Sequence, residues 1–421
     1  MMSPLTNVTG TVARWAGAAL AQVAGGRAAF RRRLRANRAA RVLVDRLDAA
    51  GELWSGTGSA WADHRYAEYY VTSSAVHAAV KVRAEAVGRP SLRVHLVDAA
   101  GRREPAGPSH PLQALLDRPN PFWSAGELWR ATETYLSLWG SAFWGIERDE
   151  SGRVAELWPL RPDRMRVLPD TDRYVRGFVF DVGGRRVAYL PEEVVWFRHF
   201  NPLDEFSGLS SVAPARAAVD MAAGAMLFNR AFFSNSATPG DLAITTEETP
   251  TDDEVEEFYA RWESRFTGPG RAHRPILLSR GMDAKRLGLS HRDMEFIEGL
   301  KWSVEEVSRA FGVPKAFLSE LQDATLANID TEERFLWRNT MVPEMRLLED
   351  VVNRSLSPLF DVPGERPARV EFDLSVIEAL HESETARVER LVRLVEAGVM
   401  TVNEVRADRG LPDVDWGDRP R

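Results

Sequence analysis

The chain has 421 residues, of which 44% are hydrophobic and 27% charged, enough to bury the cores of two or three domains. A formal net charge of −7 excludes a generally basic nucleic-acid binder, so contact with DNA would be local or weak. Cys is absent, which removes disulfides, thiolate metal sites and cysteine nucleophiles together.

The N-terminal stretch ARWAGAALAQVAGGRAAFRRRLRANRAARVL places an Ala-rich run before its arginines. A secretory signal has the opposite order, and the run is too short to span a bilayer. It reads as a solvated, partly helical basic arm over residues 1–60, with contact to nucleic acid or a neighbouring subunit as the alternative. No other segment approaches transmembrane length, and no membrane association is expected.

From Tyr66 to Val87 the apolar positions Val76, Ala79, Val80 and Val87 predict a helix that ends at Gly88. SLRVHLV then alternates as a strand, and HPLQALLDRPNP is a short helix broken by Pro119 and Pro121. Ser124 caps the next helix, which holds Leu128, Trp129, Tyr135 and Leu138. FWGIERDESGRVAELWPL and YVRGFVFDVGGRRVAYL each read as two strands around a turn. Ser211, with Pro214 in the first turn, opens a long helix with Val212, Ala215, Val219, Ala222 and Met226 on one face.

A compact α/β insert follows, made of strand DLAIT, a helix from Thr251, and strands PILLSR and MDAKRLGL. The helix carries a Thr251 and Glu254 capping box and an apolar stripe of Val255, Phe258, Tyr259, Trp262 and Phe266. Ser290 caps a second long helix with Phe296, Ile297, Leu300, Val304, Val307 and Phe311, stopped by Gly312 and Pro314. Asp330 and Glu333 form a further capping box, so the polar segment Leu318 to Ile329 reads as a loop pinned between two helices. The helix after it is expected to kink at Pro343 and to bury Leu347, Leu348, Val351 and Val352. At the C-terminus one helix ends at Gly398, and a second opens at Thr401 with Glu404.

Catalytic signatures fail one by one. There is no GxxxxGK phosphate loop, no GxGxxG after a strand and no HExxH, and the eight His are scattered singly, His77, His110 and His199 reading as core or surface residues. DDEVEE at 252–257 sits at a helix N-terminus, where the dipole favours negative charge. FSGLSS lacks the GxSxG pattern, and the last two helices put Glu404 and Asp408 where a DNA-reading helix needs cations. Trp129, Trp139, Trp196 and Trp262 fall on apolar faces, as core residues do. No catalytic residue, metal or cofactor is expected.

Several motifs in order resemble the HK97-type portal proteins of tailed bacteriophages over roughly residues 70–415. They are SSAVHAAVKVRAEAVGRPSLRVHLVD, HPLQALLDRPNP, GSAFWGIERDESGRVAELWPLRPDRM, NPLDEFSGLSSVAPARAA, FFSNSATPGDL, FGVPKAFL with its downstream AN, and GVMTVNEVRADRGLP. The resemblance implies an α+β portal fold with a β-rich wing, long stem helices, a small α/β clip and a helical crown. Mapped here, residues 61–210 are the wing, 211–238 and 291–316 the stem helices, 239–290 the clip and 317–330 the tunnel loop. Residues 331–375 are a further wing and channel segment, and 376–421 the crown.

The function implied is a homo-oligomeric ring of twelve copies at one capsid vertex of the virion, assembled in the host cytoplasm. Its channel passes double-stranded DNA, and it has no catalysis of its own. The implied partners are the terminase large subunit, the major capsid protein and scaffold, and the head-tail connector. In the tunnel loop Gln322, Asp323, Thr325 and Asn328 lie beside DNA, and in the stem Lys301 and Arg292 are candidates for the same surroundings. A polar loop of low charge suits a moving polyanion, because each phosphate neutralised adds a binding contribution that holds DNA in place. A metal-dependent nuclease using the scattered carboxylates and a head-tail adaptor ring are the rival readings.

Overall fold

The computed structural model describes residues 65–183, 185–234, 242–246, 251–266, 282–286, 292–318, 326–381 and 384–418. The first stretch, expected as one helix, is two: α1 (Arg65–Thr72) and α2 (Ser74–Val87). Ser73 divides them because its backbone is extended and its hydroxyl accepts the Val76 amide as an N-cap. Val76, Ala79, Val80 and Val87 are buried as their spacing predicts. Strands β1 (Leu92–Val97) and β2 (Arg103–Pro105) follow.

Helix α3 (Pro111–Asp117) is capped by His110, whose Nδ1 accepts from the Leu112 amide at 3.3 Å. A full capping box between Ser124 and Glu127 opens α4 (Ala125–Trp139). Six antiparallel-paired strands come next: β3 (Ser141–Arg148), β4 (Val154–Leu160), β5 (Met165–Asp170), β6 (Tyr174–Val182), β7 (Arg185–Tyr189) and β8 (Val194–Arg198). They form two sheets in the orders β4-β3-β8 and β5-β6-β7.

Strand side chains alternate between faces, and β3 uses both. Ala142, Trp144 and Ile146 enter the main core, whereas Phe143 joins Met165, Phe178, Val187, Tyr189 and Val194 in a second cluster between the sheets. Trp129 of α4 sits at the centre of the main core, with ring centroids 4.8 Å from Trp144, 6.2 Å from Phe197 and 5.0 Å from Phe372. Edge-to-face pairs of this kind add to the stabilisation from burial alone. Trp139 is buried as expected, Trp196 is half-buried, and the side chain of Trp262 lies outside the described residues.

The connection from β8 into the next helix is tied down at several points. Asn201 donates to the Ser207 hydroxyl at 3.0 Å, and the Gly208 amide donates to Ser141 Oγ at 3.1 Å. Gly208 passes so close to Gly140 that a Cβ on it would overlap the Gly140 carbonyl. FSGLSS thus has a structural task, fixing where α5 (Val212–Ser234) leaves the core.

After α5 come β9 (Leu242–Thr246), α6 (Asp252–Phe266), β10 (Met282–Arg286) and α7 (Arg292–Phe311), with β9 and β10 paired antiparallel. Thr251 and Glu254 cap α6 through the Thr251 amide and hydroxyl, at 2.9 and 3.0 Å. The expected strand PILLSR and the expected cap Ser290 lie outside the described residues. Helices α5 and α7 pack along one another, and α7 also touches α2.

Beyond α7 the chain is described again in α8 (Leu326–Phe335), a π-helical turn at Leu336–Met341, and α9 (Val342–Ser355). Helix therefore starts at Leu326, so the polar loop is shorter than expected and Asp330 lies inside the helix rather than at its cap. Pro343 falls in the first turn of α9, where a proline is tolerated, just after a π turn whose last bond runs from the Val342 amide to the Trp337 carbonyl. Leu348, Val351 and Val352 are buried, and Leu347 packs at the edge of the core.

The chain returns as β11 (Ala368–Phe372) to pair with β1, giving a sheet of order β11-β1-β2. It ends in α10 (Glu384–Glu396) and α11 (Val402–Asp408), the latter opened by the expected Thr401 and Glu404 capping box. Arg387 of α10 donates to Asp408 of α11 at 2.7 Å. The architecture is thus mixed α+β. Among the described residues no helix is long and apolar enough to cross a membrane.

Candidate functional site at the base of the loop

Helix α7 stops at Gly312, whose φ of 63° is left-handed. The Val313 amide reaches back to the Ser308 carbonyl at 3.1 Å, and Ser308 Oγ donates to the Val313 carbonyl at 2.7 Å. Phe311 and Val313 are buried on either side of this turn. A short 3-10 turn, Lys315–Phe317, follows, with Lys315 Nζ 3.0 Å from Glu305 Oε1. From the other side Thr340, in the π turn, donates its hydroxyl to the Gly312 carbonyl at 2.7 Å. Both arms of the 312–340 segment are thereby held at one place.

Beneath that place lies a buried group of four ionisable side chains. Arg83 of α2 donates from Nε to Glu133 of α4 at 2.7 Å, from Nη2 to Glu344 of α9 at 2.9 Å, and from Nη1 to the Phe311 carbonyl at 2.9 Å. His199, just after β8, places Nε2 2.8 Å from the second Glu344 oxygen. Ser137 Oγ donates to Glu133 Oε1 at 2.9 Å, and Glu133 Oε2 has no hydrogen-bond partner among the described residues. Removing one member of such a buried set exposes the rest to an uncompensated charge, costing about 3–5 kcal/mol.

The electrostatics follow from burial opposed by neighbours. Burial acts to depress Arg83, yet Glu133 and Glu344 together hold it above the usual range. Burial drives the Glu133 carboxyl upward more strongly than Arg83 pulls it down. Glu344 is held at about 2: burial works to raise it, but the bond from His199 and the charges of His199 and Arg83 prevail. His199 is raised, burial being outweighed by Glu344.

The sequence marks His199 only as an ordinary core histidine and does not mark Arg83, Glu133 or Glu344. A signal was available. Arg83 falls in the same helical register as Val76, Ala79, Val80 and Val87, and Glu133 in that of Trp129 and Leu136, so each is a charged residue at a core position.

The expected DNA-facing residues are placed less fully. Gln322, Asp323 and Thr325 lie outside the described residues, and Asn328 falls within α8 with its side chain outside them. Lys301 is exposed on α7, and Arg292 begins that helix, its side chain likewise outside the description. Among the described residues no group of His, Asp and Glu has a geometry that would hold a metal ion.

Helices α5 and α7 carry the other notable surface. Val212, Ala215 and Val219 of α5 are buried, but Met226, expected on the same apolar face, is 54% exposed, and Leu227 beside it is 65% exposed. The reason is geometric: α5 is buried where Val212, Ala215 and Val219 enter the core, and its second half runs beyond that core while the helix packs along α7. Trp302 of α7 is exposed as well, and so is Tyr259 of the α6 stripe.

The family model for phage portal proteins matches residues 74–410. The chain belongs to the phage portal protein family. The portal protein of Enterobacteria phage HK97 is 25% identical over 333 residues, 78% of this chain and 76% of its own length. Chains from the neck of a gene transfer agent particle are similar in structure. That of the empty particle, computed with C6 symmetry, is 29% identical with a TM-score of 0.61, covering 86% of this chain and 98% of that one. That of the native particle, computed with C12 symmetry, is 27% identical with a TM-score of 0.58 at the same coverage. An HK97-family phage portal protein from Corynebacterium diphtheriae shares the fold at 20% identity and a TM-score of 0.53, covering 77% of this chain and all of that one. Portal proteins are structural and not enzymes, and the nuclease alternative is withdrawn with that assignment.

Proposed function

We propose that the protein forms a ring of twelve copies at one vertex of a phage capsid or gene-transfer particle, the channel through which double-stranded DNA enters and leaves. The observation that carries this reading is the α5–α7 pair, which leaves the core with Met226, Leu227 and Trp302 uncovered. A helix apolar around most of its circumference is stable only when other elements cover it, and neighbouring copies of the same pair supply that cover in a closed ring. The C12 and C6 symmetries of the gene transfer agent necks support the same arrangement.

In this reading residues 61–210 form the wing, 211–238 and 291–316 the stem, 239–290 the clip and 376–421 the crown. The segment between Leu318 and Leu326 is the tunnel loop, with Gln322, Asp323 and Thr325 facing the channel, and Lys301 and Arg292 lie along the stem. The terminase large subunit, major capsid protein, scaffold and head-tail connector are the partners. The acidic balance of the chain, −7, suits a lumen along which DNA slides without being held.

Native mass spectrometry of purified protein, with negative-stain images of the same sample, tests this. Closed rings near twelve subunits with a central hole are expected. A species that stays monomeric at every concentration, and in the presence of scaffold and capsid protein, counts against it.

A further inference from the structure

The buried group under the loop base has a charge balance that its members cannot close on their own. Arg83 contributes one positive charge, and Glu133 and Glu344 contribute two negative ones when ionised. With His199 neutral the group is therefore one negative charge in excess, inside the protein. An isolated buried charge is costly, and one bound proton removes it.

We propose that Arg83, Glu133, Glu344 and His199 bind a single shared proton that latches the end of α7, and with it the base of the loop, to α2, α4 and α9. With the proton on His199, Glu344 is paired on both sides, and Arg83 is free to keep its third bond to the Phe311 carbonyl. When the proton leaves, the two carboxylates compete for Arg83 alone. The bond given up is the weakest of the three, the one to the neutral Phe311 carbonyl, because bonds between two ionised groups are the stronger kind.

Geometry supports the exit of the proton through His199. Its side chain is 16% exposed, against 11% for Glu344, 6% for Arg83 and 0% for Glu133. The charged groups facing it are Glu344 from α9, Arg83 from α2 and Glu133 from α4, and from the β3 side it meets the Gly140 carbonyl through its own amide. The unpartnered Glu133 Oε2 is the second place on which the proton rests when His199 is replaced.

The sign is fixed by direction. His199 is raised above its ordinary value by Glu344, so its contribution to the latch is complete below about pH 6.5 and is lost as pH rises through the folded value. Each unit of that elevation changes the opening equilibrium about tenfold. This latch goes beyond the proposed function and does not need a ring; its effect on a DNA channel does rest on that reading.

Hydrogen exchange read by mass spectrometry on the full chain between pH 5.5 and 9, corrected for intrinsic exchange, tests it. In the wild type, amides of 308–318 and 336–345 are expected to lose protection as pH rises through the His199 transition, while β3 and β6 do not change. Glu133→Gln makes the group neutral without the extra proton, so protection at the loop base is expected to stay high to pH 9. His199→Gln moves or removes the step. A wild type without a step, or the same step in both variants, overturns the latch. Native mass spectrometry of the same samples reports ring formation separately, so failure of the ring reading is distinguishable.

Discussion

Thr340 donates its hydroxyl to the Gly312 carbonyl at 2.7 Å, and a Cβ built on Gly312 would come 2.8 Å from the same hydroxyl oxygen. The two contacts fix the turn from opposite directions. The carbonyl needs its donor, and the donor leaves no room for a side chain.

Gly312→Ala is accordingly expected to cost about 1–3 kcal/mol, from the left-handed backbone and the displaced Thr340 together. Thr340→Val, which keeps the volume and removes the donor, is expected to cost about 1 kcal/mol. Denaturant midpoints measure both. A Gly312→Ala protein as stable as the wild type would show that the turn relaxes freely.

Acid stability is expected to report Glu344. Its carboxyl is held at about 2 in the folded protein, so its contribution is present above about pH 4.5 and is lost as pH falls toward that value. Glu344→Gln is therefore expected to cost about 3 kcal/mol at pH 7 and much less near pH 2. Urea titrations across that range measure the difference, and parallel curves for the two proteins would contradict it.

Leu227→Asp is expected to leave monomer stability within about 0.5 kcal/mol, since the side chain is exposed in a single chain. Ring formation is expected to fall sharply, because the charge would be buried against a neighbouring helix. Light scattering separates the two effects, and unchanged rings would remove this face from the interface.

Replacing residues 319–325 by Gly and Ser at the same length spares α8, which begins at Leu326. Rings and thermal midpoint are expected to persist while DNA packaging or retention falls. Packaging at wild-type efficiency would end the tunnel-loop assignment.

What the sequence made legible was local. The Ser124 cap, the Thr401 and Glu404 capping box and the stop at Gly312 depend on residues within a few positions of each other, and all are found where local chemistry puts them. The pairing of β1 with β11 joins Leu92 to Phe372, against whose ring Trp129 packs, and no local pattern encodes a contact across so many positions. The meeting of Arg83 and Glu344 across 261 positions is illegible for the same reason. The start of α8 was misread because Asp330 and Glu333 satisfy the spacing of a capping box while lying within a helix already begun. Met226 was misread because periodicity tells which way a residue faces but not how far the core extends.

The π turn at Leu336–Met341 gives one last consequence. A hydrogen bond that spans five residues instead of four adds one position to the helix, and one position is about 100° of rotation. In a regular helix an inserted residue would turn α8 by that angle relative to α9, and the π turn takes up the residue instead. Deleting one residue of the turn would restore a regular ladder of bonds and leave the side chains of α8 facing as they do now, because the π turn already takes up the extra position. The turn is therefore what lets the chain carry one residue more than a regular helix has room for while α8 keeps its bearing and α9 its contacts.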